Sequence, residues 1–278
     1  MMFDTSKSGG CTERVNYLKR GFLFYMCASC MLLVQFVIYL VNSNYWESLN
    51  FVGGFYYLMA ALGQAFLFNL IPWVILYIPF TWWRQMRKVG TILFTCAIFL
   101  LNVLAYLNGI VFQLYKFHIN GFVLDLAFGG GGNQVFVFNN TLVLHGVLIG
   151  LLILLFTLAV VFIAYRYARY VTSKQVKIGI YLFLFYCIAP QLTHAYAAAA
   201  NVNSITEVSA CLPQFYPLTA NRLMLKLGVV KKEDLYVNNP DKGKGHSFVY
   251  PLHPLEKVDS VKPLNIIYLI LDSWNFRT

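Results

Sequence analysis

Leu212–Gly228, LPQFYPLTANRLMLKLG, divides the chain into two parts of different character. Before it, long apolar runs alternate with short basic loops. After it, the composition turns toward that of a water-soluble domain. At about 100° per residue, Tyr216–Leu227 reads as an amphipathic helix. Thr219, Arg222 and Lys226 fall on one side, and Ala220, Leu223, Met224 and Leu227 on the other. Pro217 suits the first helical position, where its missing N–H would be unbonded anyway. Gly228 suits the position just past the helix end. Tyr216 is a poor N-cap. The free N–H groups of the first turn are therefore open to an anion, with Arg222 and Lys226 beside it. A helix that lies on the bilayer and grips lipid phosphates without selectivity gives the same pattern.

Upstream, the composition is that of an integral membrane protein. Hydrophobic residues make up 59% of the chain and charged residues only 12%, about half the charge of a soluble domain. Five spans are expected, at about 21–41, 53–80, 89–115, 141–165 and 178–200, each long enough to cross a hydrocarbon core of about 30 Å. The first is a signal anchor, because it is too long for a cleavable signal and lacks a small-residue cleavage pattern. Pro190 is expected to bend the fifth. Residues 1–20 form a basic tail with Lys7, Arg14, Lys19 and Arg20. Arg84, Arg87 and Lys88 follow the second span, and Arg166, Arg169, Lys174 and Lys177 the fourth. The two opposite loops contribute only Lys116. The positive-inside rule then places the N-terminus in the cytoplasm and the segment after the fifth span outside. Much of the net charge of +10 is thus a topology signal, so nucleic acid is not expected as a partner.

No Asp, Glu, Lys or Arg lies inside the spans so drawn, which argues against an ion-coupled transporter. A lipid transporter would need a polar path that these spans do not supply. Gln35, Gln64, Asn69, Asn102, His145 and Gln191 are intramembrane polar residues, expected to form interhelical hydrogen bonds. Cys27 and Cys30 form a CxxC inside an apolar run, where they read as small packing residues. Between the third and fourth spans, Phe122–Phe128 reads as a short interfacial helix ended by the run Gly129–Gly132. Those glycines lack the strand, helix and lysine of a phosphate loop. Asn139-Asn140-Thr141 matches a glycosylation sequon, a motif common by chance.

Downstream, residues 231–262 read as a linker punctuated by Pro240, Gly243, Gly245, Pro251 and Pro254. Leu264–Leu271, LNIIYLIL, is too short to span a membrane and reads as a buried strand of an α/β sheet. It runs into Asp272, a carboxylate at the strand end where such folds place active sites. One strand cannot form a domain, so residues 263–278 are expected to be the start of a truncated domain.

The five spans, the pattern HAYAAAANVNSITEVSACLPQFYPLTANRLMLKLGVV (His194–Val230) and the ending PLNIIYLILDSWNFRT (Pro263–Thr278) together resemble the YejM/PbgA family, inner-membrane sulfatase-like proteins of Gram-negative bacteria. YKFHINGFVLDL also looks like that family's segment after the third span. The resemblance implies a five-helix, all-α membrane domain, a periplasmic juxtamembrane helix over 201–230, and an α/β domain of the alkaline-phosphatase superfamily. It implies sensing of lipopolysaccharide through lipid A, with contacts at Tyr216, Pro217, Leu218, Thr219 and Arg222. It further implies signalling to the membrane adaptor LapB, which controls FtsH-mediated turnover of LpxC. Lys226 joins this set from its place on the helix face. Family members can carry two adjacent arginines where this chain has Asn221-Arg222, one cation fewer.

Asp272 matches the first metal-ligand position of the superfamily. A divalent metal is expected only with a complete periplasmic domain, and no cofactor or catalytic residue within this chain. The competing expectation is a membrane-anchored periplasmic hydrolase or phosphoethanolamine or phosphoglycerol transferase whose catalytic half lies beyond residue 278. Anionic phospholipids are expected as further ligands.

Overall fold

A computed structural model describes residues 5–47, 49–129 and 140–231 of the chain. Among these residues five helices are long and apolar enough to cross a membrane, covering Thr12–Val41, Phe51–Thr81, Arg84–Tyr115, Val143–Tyr170 and Ser173–Ala199. The described residues form an all-α, multi-pass membrane fold. The strand expected at Leu264–Leu271 and the linker from residue 232 onward lie outside the described residues.

Helix α1 (Thr5–Val41) is the hub. It packs against α2 (Phe51–Pro72), α3 (Arg87–Tyr115) and α5 (Asn140–Tyr167), while α6 (Ser173–Ala199) joins the bundle mainly through α2. Burial follows this order: α1 is the most enclosed of the five and α6 the least. Apolar side chains on α5 and α6 are left facing outward, as lipid-exposed surface requires.

Helix α1 starts well before Gly21, the expected first residue of the span. The basic stretch is helical because Tyr17, within it, is buried against Tyr77. The second span also departs from an even helix. Regular α-helix stops at Pro72, and Trp73–Tyr77 forms a π turn followed by a 3₁₀ turn at Ile78–Thr81. Pro72 has no N–H for the carbonyl one turn back, so the hydrogen-bond ladder is interrupted there. Pro190 lies buried inside α6, which continues as α-helix on both sides of it.

Local caps explain several boundaries. The Asn50 side chain accepts from Gly53 N at 2.8 Å to start α2. Thr172 and Gln175 form a reciprocal capping box at the start of α6. Asn120 accepts from Val123 N at 3.1 Å and opens α4 (Gly121–Phe128), which ends at Gly129. That helix agrees with the sequence reading. Gly130–Gly132 and Asn139 lie outside the described residues.

Two buried clusters hold the bundle. One joins Tyr17, Phe24 and Ala28 of α1 to Tyr77, to Phe94 and Ile98 of α3, and to Ala164 of α5. The other joins Phe36 and Tyr39 of α1 to Tyr57 and Ala61 of α2, Phe112 of α3 and Cys211 and Leu212 past α6. Polar pairs cross between helices as expected at two places. Gln35 Nε2 donates to Asn102 Oδ1 at 2.7 Å, and Asn69 Nδ2 to Ser29 Oγ at 3.3 Å. His145 departs from expectation: it is exposed on α5 and does not pack in the interior. Cys30 is likewise exposed, with Cys27 half-buried.

Candidate functional site

After α6 the chain turns through α7 (Asn203–Thr206) and a 3₁₀ turn at Val208–Cys211. Cys211, Leu212 and Pro213 are buried. Gln214 takes a left-handed conformation, φ 49°, and turns the chain outward. Gln64 of α2 holds this corner, donating from Nε2 to the carbonyls of Pro213 at 3.1 Å and Gln214 at 3.3 Å.

Phe215–Ala220 has no regular secondary structure, and helix α8 covers only Asn221–Lys226. The helix expected from Tyr216 to Leu227 therefore starts five residues late, and Pro217 is not its first residue. The cause is tertiary. Gln191 Oε1 accepts from Leu218 N at 2.7 Å, and Gln191 Nε2 donates to Tyr216 O at 3.4 Å. His194 Nδ1 donates to Leu218 O at 3.1 Å. With Leu218's N–H and C=O both taken by α6, that residue has no groups left for a helical ladder. Pro217 also biases Tyr216 toward an extended backbone.

These contacts correct the roles expected for Gln64 and Gln191. Both bond the backbone of the juxtamembrane segment, not a neighbouring span. His194, which sequence reasoning did not single out, completes the clamp. Its spacing of three residues from Gln191 puts the two on one face of α6.

Tyr216 is 84% exposed. Thr219, Arg222 and Lys226 are also exposed, Leu218 is half-exposed, and Pro217 is half-buried. Arg222 and Lys226 stand one turn apart on α8. Neither has a carboxylate partner among the described residues. Ala220 provides no side-chain cap. A six-residue helix carries little macrodipole, so attraction for an anion here rests on the two cations. Leu223 and Leu227 are exposed beside them, as an interfacial helix would present them to lipid. The helix ends as expected at Gly228, φ 68°. Gly228 N donates to Leu225 O and Val229 N to Met224 O, both at 3.1 Å, a Schellman motif.

The family model described as Domain of unknown function (DUF3413) matches residues 12–257. The chain belongs to the DUF3413 family. No curated protein matches it. The DUF3413 match spans all five long helices and the clamped segment, and stops before the apolar run Leu264–Leu271. Asp272 lies outside the described residues. Among the described residues no group of three or more His, Cys, Asp or Glu is placed to hold a metal.

An apolar cavity of about 250 Å³ opens beside this segment, lined by Leu32, Phe36, Phe68, Leu101, Leu104 and Pro213, with Asn108, His118 and Gln214 among its polar groups. His118 ties the end of α3 to the turn before Leu212. Its Nδ1 accepts from Asn108 Nδ2 at 2.9 Å, and its Nε2 donates to Ala210 O at 3.1 Å. Its ring stacks on Phe112 with centroids 4.5 Å apart. Both ring nitrogens are used by the neutral form, and a proton on Nδ1 would break the bond from Asn108.

Burial lowers the His118 pKa below its ordinary value near 6.5, outweighing the bond to Ala210. The unfolded chain then binds the extra proton first as pH falls. His118 thus contributes stability that is full above about pH 6.5 and is lost as pH drops toward the depressed folded value. The thermal midpoint of the purified protein is expected to fall between about pH 7.5 and pH 5, and His118→Gln is expected to flatten that dependence. Parallel curves for the two proteins would assign the pH effect elsewhere.

Proposed function

We propose that this DUF3413 chain is the membrane domain of a sulfatase-like inner-membrane protein of the YejM/PbgA type, and that it senses lipid A. The observation that carries the reading is the clamped segment. An exposed, cationic stretch, Tyr216–Lys226, is hydrogen-bonded through its backbone to Gln191 and His194 of α6, and the corner just before it, Pro213-Gln214, to Gln64 of α2. A lipid phosphate drawn to Arg222 and Lys226 would contact a segment already tied to two membrane helices. The cavity beside Pro213 and Gln214 offers apolar surface for part of an acyl chain.

Binding at this segment would bias how α2 and α6 pack, and so what the bundle offers a LapB-like adaptor in the membrane. In this reading the eleven Lys and Arg of the N-terminal tail and of the loops after the second and fourth spans face the cytoplasm of a Gram-negative cell, and the clamped segment faces the periplasm. The adaptor then relays lipid A abundance to FtsH-mediated turnover of LpxC.

Native mass spectrometry of the detergent-purified chain with bisphosphorylated lipid A tests the proposal. Arg222→Ala is expected to weaken lipid A binding about tenfold, the worth of one charge-assisted hydrogen bond. Lys257→Ala, in the linker, is expected to leave it unchanged. Asn221→Arg, which creates two adjacent arginines, is expected to strengthen it. Equal loss from Arg222→Ala and Lys257→Ala would mean non-specific charge attraction and defeat the sensor reading.

A further inference from the structure

At the opposite end of the bundle, α1, α3 and α5 enclose a second cavity, of about 240 Å³. Glu13, Tyr17 and Arg20 of α1, Arg87 and Lys88 of α3 and Tyr165 of α5 line it. Its charges do not balance. The one carboxylate, Glu13, is engaged at 2.7 Å by Arg84 from outside the cavity and only at 3.5 Å by Arg87. Arg20 and Lys88 have no carboxylate partner among the described residues.

Two guanidinium nitrogens are left unsatisfied as well. Nε of Arg20 and Nε of Arg87 are both buried without a hydrogen-bond partner. The Arg20 guanidinium lies over the Tyr165 ring, 3.9 Å from its centroid, and that of Arg87 is 5.8 Å from the Tyr17 ring. The rings orient these cations but do not neutralise them. Three cationic side chains, Arg20, Arg87 and Lys88, thus line one cavity with a single carboxylate, Glu13, which Arg84 holds from outside. The first turn of α3 adds the positive end of its dipole.

We infer that this cavity binds a phosphate group between Arg20, Arg87 and Lys88. The planar fork of a guanidinium matches phosphate oxygens two at a time, and the lysine supplies a point charge. The volume suits a phosphate with an attached glycerol. Basic pockets between membrane helices are a recurrent way to hold anionic lipid head groups. The phosphate is therefore that of an anionic glycerophospholipid or a free phosphate. The site shares no residue with Tyr216–Lys226, so its test and that of the lipid A reading are independent.

Thermal unfolding of the purified full chain, in a non-ionic detergent, reads binding. Three probes are titrated: short-chain phosphatidylglycerol, short-chain phosphatidylcholine and inorganic phosphate. Phosphatidylglycerol is expected to raise the midpoint, and Arg20→Gln and Lys88→Gln each to weaken that binding about tenfold. Arg169→Gln, near the same end but paired with Tyr170 outside the cavity, is expected to leave it unchanged. If inorganic phosphate reproduces the effect with the same residue dependence, the ligand is the free anion; if it does not, the ligand is the lipid.

Without ligand, Arg20→Gln removes a charge that lacks a counter-ion, so its midpoint is expected to hold or rise. Lys88 is exposed, so Lys88→Gln carries the test should Arg20→Gln fail to fold. The inference is overturned if the cavity variants bind phosphatidylglycerol as wild type does, if Arg169→Gln loses as much, or if phosphatidylcholine binds equally with the same residue dependence.

Discussion

Tyr77→Ala is expected to destabilise the protein by about 3 kcal/mol, the lower end of the cost of truncating a large buried aromatic residue. The lower end applies because lipid tails are as apolar as the core, so packing contacts are lost without the full water-transfer contribution. Tyr77 is fully buried at the end of the π turn. Its ring stacks on Tyr17 with centroids 4.2 Å apart and planes within 2°, and meets the edge of Phe94 at 5.5 Å. Two hydrogen bonds are reciprocal: Tyr77 OH donates to Tyr17 O at 2.9 Å, and Tyr17 OH to Tyr77 O at 3.2 Å. Gly21 makes room for this ring, since a Cβ there would lie 2.0 Å from it.

Tyr77→Phe separates packing from hydrogen bonding. It keeps the stack and loses one donor, at a cost of about 1 kcal/mol or less. Denaturant or thermal unfolding in detergent measures both variants. If Tyr77→Phe cost as much as Tyr77→Ala, the hydrogen bond would hold this end of α1 to α2, and the stack would not.

The membrane helices were legible in the sequence because a bilayer imposes a severe local demand: about twenty apolar residues in a row, with cations outside. Short-range chemistry was legible for the same reason, as in the helix at Phe122–Phe128 stopped by Gly129, and the helix end at Gly228. What escaped depends on groups far apart in the chain. Tyr216–Ala220 has a helical pattern, and Pro217 is well suited to a first turn. Yet Gln191 and His194, more than twenty residues upstream, take the backbone groups that a helix at Leu218 would use. Gln64 and Gln191 were visible as polar residues in apolar runs, but residue type does not say which backbone carbonyl they will meet. The cationic cavity escaped because its lining comes from three helices, and because Arg20, in a stretch whose composition reads as a basic tail, belongs to a packed helix.

Gly63→Leu is expected to cost about 1–3 kcal/mol or more through overpacking, and to disturb the clamped segment as well. Gly63 is buried on α2 where α6 crosses it. A Cβ there would lie 2.0 Å from the carbonyl oxygen of Tyr186 and 2.8 Å from its carbonyl carbon. Backbone cannot swing aside as a side chain can, so the helices must separate. Close contact at small residues is how membrane helices gain dispersion attraction without a hydrophobic drive, and α6 joins the bundle mainly through α2. The next residue, Gln64, grips Pro213 and Gln214, while α6 grips Tyr216 and Leu218. Separating α2 from α6 therefore pulls the two halves of the clamp apart. Gly150→Leu is the control, because nothing lies within 4 Å of a Cβ placed there. Its thermal midpoint is expected to match wild type or exceed it slightly, since leucine favours helix over glycine. On the proposed lipid A reading, binding is expected to weaken in Gly63→Leu and to persist in Gly150→Leu. Should Gly63→Leu lose stability yet bind lipid A as wild type does, the segment would hold its shape without the α2–α6 contact, and the proposed coupling through that contact would fail.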